Sequence, residues 1–159
     1  MIRAKTFFVA EGVCVDRETN LVSAFGLMES VQAIAFPVVL QRAFLFCIWE
    51  RLPTDPSEFR YELALTLNGR ELERRIIDTG FASSLRTRTT IRLEGLTLSE
   101  PGNVVFRLAV PEHDVAEWVM TATAASHEMS GAVGATRPRH FYDSGQISIS
   151  LGSANINRR

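Results

Sequence analysis

Phe59, Tyr61, Leu63, Leu65 and Leu67 are apolar and alternate with Arg60, Glu62, Ala64 and Thr66. A period of two sends alternate side chains to opposite faces of a strand, so residues 59–67 read as a strand with one face inward and one face in water. Asn68-Gly69 follows at once, the dipeptide most favoured in a two-residue hairpin turn. Glu71 to Asp78 is then the partner, its Glu73, Arg74 and Arg75 marking an edge strand protected by charge. Ala43 to Trp49 is apolar at every position, the signature of a strand buried on both faces. Together these runs place residues 59–67 between a buried central strand and a guarded edge.

The same alternation recurs along most of the chain. Thr6 to Val15 and Leu21 to Met28 flank the polar turn Asp16–Asn20 and form a hairpin, with Gly12 marking a bulge or a close backbone approach. Val31 to Phe36 is a short apolar segment, and Pro37 confines it to a strand end or an edge. Thr87 to Leu98 changes apolar parity near Gly95, which one extra residue at a bulge would produce. Val104 to Val110 and Val115 to Thr121 complete the series after the turn Glu100–Asn103. Eight to nine short strands at regular spacing predict an antiparallel β-sandwich.

After Thr121 the pattern breaks. Residues 122–145 are rich in small residues, glycine and polar groups, so the expected organisation is a domain over 1–121 and a flexible linker and tail over 122–159. Within the tail Gln146 to Leu151 alternates again through Ile147, Ile149 and Leu151. A strand-like segment beyond a linker can add to an exposed sheet edge by backbone hydrogen bonds.

Residues 7–119 resemble a family of small bacterial β-sandwich proteins known only as a domain of unknown function. The resemblance rests on Phe7-Phe8-Val9-Ala10-Glu11-Gly12-Val13-Cys14-Val15-Asp16, on Asn20-Leu21-Val22-Ser23-Ala24-Phe25-Gly26, on Ile34-Ala35-Phe36-Pro37 and on Leu98-Ser99-Glu100-Pro101-Gly102. The family pattern has a glycine before the aromatic residue of the second strand, whereas here Gly26 follows Phe25. The resemblance implies the sandwich fold and brings no activity.

Charge narrows the partners. The net charge is −1, so no global field attracts nucleic acid or an anionic membrane. Residues 1–121 carry 13 basic and 16 acidic side chains, residues 122–159 four and two, and sixteen of the seventeen basic residues are arginine. Arg86, Arg88 and Arg92 share a parity and form a basic stripe that suits an acidic partner, or a solvent face with cross-strand glutamates. No exposed aromatics interleave with them, as a single-stranded nucleic-acid platform would need. The apolar run near the start, Phe7 to Ala10, is shorter than the ~7–15 residues of a secretory core. No run reaches the ~20 residues of a membrane helix. These features point to the cytoplasm. Cys14 and Cys47 lie in strand-like runs and read as buried free thiols, with a disulfide between neighbouring strands as the alternative.

Chemistry is sparse. The histidines and cysteines lack zinc-type spacing, Ser83-Ser84 has no nucleophile-elbow context, and Gly131 to Arg137 lacks the ending of a phosphate loop. No cofactor is expected. His113, Asp114 and Glu117 form the densest polar group and the single enzyme hypothesis. The leading expectation is a non-enzymatic module that binds a protein partner, or itself, through a sheet edge or through Ile147, Ile149 and Leu151, with Arg86, Arg88 and Arg92 as a second contact. The alternative is a sandwich that binds a carbohydrate or small ligand on an exposed aromatic cluster including Trp49 or Trp118.

Overall fold

The computed structural model describes residues 1–125. The strand expected over 146–151 and most of the expected linker lie outside the described residues. Nine strands form two sheets: β1 (Arg3–Val15), β2 (Val22–Leu27), β3 (Ser30–Ala33), β4 (Val38–Glu50), β5 (Glu58–Leu67), β6 (Arg70–Gly80), β7 (Arg86–Leu98), β8 (Gly102–Ala109) and β9 (Val115–Ala124). One sheet has the order β2-β1-β4-β7 and the other β3-β9-β8-β5-β6. Neighbours are antiparallel except β3, which pairs in parallel with β9. β9 runs to Ala124, three residues past the expected boundary at 121.

The inward face of β5 is realised as read, whereas on the other face Ala64 is buried and Glu62 and Thr66 are half-buried. Tyr61, Leu63, Leu65 and Leu67 are essentially fully buried, and the turn at Asn68 and Gly69 has positive φ at both residues, 51° and 80°, as a primed turn requires. β6 is the sheet edge. The other neighbour of β5 is β8 rather than the buried run at 43–49, which belongs to β4 in the opposite sheet. Periodicity fixes which face is buried, and it is silent about which strand lies alongside.

β4 is buried on both faces only in part. Ala43, Leu45, Cys47 and Trp49 enter the core between the sheets. Phe46 is 2% exposed yet stands outside that core, stacked on Phe8 at 5.1 Å between ring centroids, while Phe44 and Ile48 are half-buried. The parity change near Gly95 is real, but no extra residue causes it. The β4–β7 register is unbroken from Val38↔Leu98 to Glu50↔Arg86. Both strands change face together: Leu93 and Ala43 lie in the core on one side of Gly95, Leu98 and Leu40 on the other. Gly95 takes φ +71°, a conformation open to glycine that lets the strand roll without gaining a residue.

One end of the core is aromatic. The Trp49 ring meets Tyr61 at 5.0 Å and Phe59 at 5.2 Å, and Phe59 stacks on Phe81 at 5.1 Å. Such pairs contribute about 0.5–1.5 kcal/mol each beyond the area they bury.

Candidate functional site

Four strands form the sheet edges, and they differ in chemistry. An exposed edge offers unpaired backbone groups to any other strand, and folded proteins commonly guard it with charge or brevity. β6 carries Arg70, Glu71, Glu73, Arg74, Arg75 and Asp78. Arg74 bridges Glu62 at 2.8 Å and Glu71 at 2.7 Å, and Arg60 holds Asp78 at 2.8 Å. β7 carries Arg86, Arg88, Arg92 and Glu94. β3 is only four residues long.

β2 has neither guard. No charged residue occurs from Leu21 to Met28. Leu21, Phe25 and Leu27 are 67%, 60% and 53% exposed, and within β2 only Val22 is even half-buried. The hairpin that carries it is fixed by local chemistry. The Asp16 carboxylate accepts from the backbone N–H of Thr19 at 2.7 Å and of Glu18 at 2.8 Å, and Asn20 takes φ +59°. The Thr19 contacts, with the Glu18 amide, hold the Asp16 carboxyl below its ordinary pKa. At Gly12 the register has no bulge and what lies close is a side chain rather than a backbone, since a Cβ there would run into the Phe25 ring on the paired strand.

The basic stripe is engaged rather than free. Arg86 bridges Glu50 at 2.8 Å, its registered partner across β4. Arg92 pairs with Glu94. Arg88 donates to the backbone oxygen and side-chain oxygen of Asn20, in the β1–β2 turn. That contact brings the hairpin tip to β7, the far edge of its own sheet. Ile147, Ile149 and Leu151 lie outside the described residues.

His113, Asp114 and Glu117 are not brought to one point. Asp114 Oδ2 accepts from the Ala4 N–H at 2.9 Å, and His113 Nδ1 accepts from the Ile2 N–H at 3.3 Å. They tie the start of β1 to the β8–β9 turn, whereas Glu117 faces Arg107 across the ladder. Among the described residues no three His, Cys, Asp or Glu side chains gather as a metal site. Cys47 is a buried thiol whose pKa is raised by desolvation. Cys14 is an exposed free thiol, against the expectation of burial, because it stands on the hairpin beyond the reach of the core. No disulfide joins the two.

Trp49 is fully buried and donates from Nε1 to Thr89 Oγ1 at 2.9 Å. Trp118 is half-buried and donates to the Met28 carbonyl at 2.8 Å. Neither forms an open platform. A cleft of about 760 Å³ does open where edges β6 and β7 fail to meet, lined by Phe59, Tyr61, Ile77, Thr79, Thr87 and Ile91 among others.

The sequence shows the lack of charge from Leu21 to Met28, and the sheet order makes that uncharged run an edge. Residues 5–123 match the model of a family described as being of unknown function (DUF6941). No curated protein matches the chain.

Proposed function

The chain belongs to a family of unknown function, and from its sheet edges we propose that it is a non-catalytic interaction module that assembles by adding an extended strand to β2, the partner being a second copy. One observation carries this reading: β2 is a sheet edge with no charge from Leu21 to Met28 and with Leu21, Phe25 and Leu27 in water. Unpaired backbone groups supply the affinity in strand addition, and alternate side chains supply the fit. Like charges set opposite one another destabilise a strand pair. An uncharged run avoids that cost when it meets its own copy about a two-fold axis, the commonest symmetry of protein dimers.

The non-catalytic part of the reading is supported by the polar groups. His113 and Asp114 accept hydrogen bonds from backbone amides. The free thiols Cys14 and Cys47 suit a reducing cytoplasm. Among the described residues no helix is long and apolar enough to cross a membrane.

The test is the mass of the full chain in solution against concentration, beside Phe25→Lys. A dimer that Phe25→Lys dissociates is the expected result. A wild-type chain that stays monomeric to millimolar concentration would refute it.

A further inference from the structure

Between β6 and β7 a cleft opens against the rim of the core. Its walls are Phe59 and Ile77, 9% and 7% exposed, with Tyr61 and Ile91 behind them. On one side runs the outer edge of β6, on the other the outer edge of β7. The charge that guards β6 is concentrated over Arg70–Arg75. Over 76–80 the strand reads Ile-Ile-Asp-Thr-Gly, and Asp78 is held by Arg60. The stretch of edge beside the cleft is therefore the least protected part of β6.

The object that fits an open seam between two edge strands is a strand with one apolar face. The same chain carries a sequence of that pattern outside the described residues: Gln146-Ile-Ser-Ile-Ser-Leu151, with Ile147, Ile149 and Leu151 on one parity and Gln146, Ser148 and Ser150 on the other. We propose that Gln146–Leu151 adds in cis to the free edge of β6 over residues 76–80, turning Ile147 and Ile149 toward Phe59 and Ile77 at the rim of the core and its serines to water.

Reach permits this. β9 ends beside the Leu67 end of β5, since Gly102 is level with Ala122 and Val104 with both Met120 and Leu67. The cleft lies at the Phe59 end. Three strand spacings of ~4.8 Å and the length of β5 at ~3.3 Å per residue put the two points roughly 30 Å apart. Residues 126–145 span at most about 66 Å at ~3.3 Å per residue, and a flexible chain of that length has a typical end-to-end distance of about 25 Å. One-sided apolarity also selects the cleft over β2. At β2 neither face leads to a core, whereas the cleft lies against the core on one side only.

Hydrogen exchange on the full chain tests the proposal, comparing wild type with the double variant Ile147→Asp/Ile149→Asp. The expected result is at least tenfold faster exchange in the variant over residues 76–80, with β8 amides unchanged as proof that the sandwich is folded. Equal exchange over 76–80 in the two chains would overturn the proposal. So would protection lost at β2 instead of β6, or protection over 76–80 that appears only at high concentration, which would assign the strand to a second copy.

Discussion

The Asn68 carboxamide stands where the side chain of any other residue at Gly102 would have to begin. Asn68 Oδ1 accepts from the Asn103 N–H at 3.0 Å and Nδ2 donates to the Pro101 carbonyl at 3.0 Å. Its backbone N–H donates to the Asn103 carbonyl at 2.9 Å. The β5–β6 turn is thereby latched to the β7–β8 turn, and so the end of one sheet to the incoming strand from the other. Gly102→Ala displaces the latch and strains a residue at φ +150°. A loss of about 2–4 kcal/mol is expected from two hydrogen bonds and the backbone cost, read as a lower urea midpoint with an unchanged m-value. Asn68→Gly keeps the positive φ and loses only the side-chain bonds, so its loss is expected to be smaller than that of Gly102→Ala.

Gly12 presents the opposite case. Its Cβ would also collide, but with the ring of Phe25, the far end of an exposed side chain. Gly12→Ala is expected to cost less than about 1 kcal/mol, because the ring can swing away from the strand. The same denaturation measurement checks it, and a loss as large as that of Gly102→Ala would show that Phe25 is held in place.

The Tyr61 hydroxyl is sealed from solvent and no group satisfies it with hydrogen-bond geometry, although Thr89 lies near enough to pull its pKa down against the effect of burial. Burial pushes its pKa up to about 12. A buried polar group without a partner costs about 1–3 kcal/mol. Tyr61→Phe is therefore expected to leave stability equal or raise it, by up to about 2 kcal/mol, in a core where aromatic truncations ordinarily destabilise. Thermal unfolding of the two chains decides it.

Much of this fold is readable from the chain, and the unread parts share a physical reason. The alternation of β5 and the Asn68-Gly69 turn are local, and local patterns fix the strand, its buried face and its hairpin partner. The placement of β4 in the other sheet is not local, and alternation says nothing of it. β3 has four residues and pairs in parallel with β9, too short a run to announce its partner. The roll at Gly95 looks in sequence like a bulge because a bulge and a shared change of face give the same parity shift. As for the candidate site, Arg86, Arg88 and Arg92 were legible as a stripe, but their partners Glu50, Asn20 and Glu94 are supplied by folding. The β2 edge is defined by missing charge, and only the sheet order turns that absence into an edge.

Acid sensitivity follows from Asp16 and Glu50. The amides of Thr19 and Glu18 lower the first, Thr19 contributing most, and the Arg86 hydrogen bond lowers the second against some desolvation. A carboxyl whose folded pKa lies below its unfolded value adds stability above the unfolded value and loses it as pH falls through the folded one. Stability is thus expected to decline as pH drops below about 4, and Asp16→Asn is expected to flatten part of that decline. Urea midpoints across pH 2–6 give the comparison.

The central claim concerns the β2 edge, and hydrogen exchange at Ser23, Ala24 and Phe25 as a function of protein concentration tests it most directly. Strand addition between copies predicts protection at these amides that grows with concentration in parallel with a dimeric mass, and that disappears in Phe25→Lys. Exchange at these three amides that stays the same from micromolar to millimolar concentration, with a monomeric mass throughout, would contradict it.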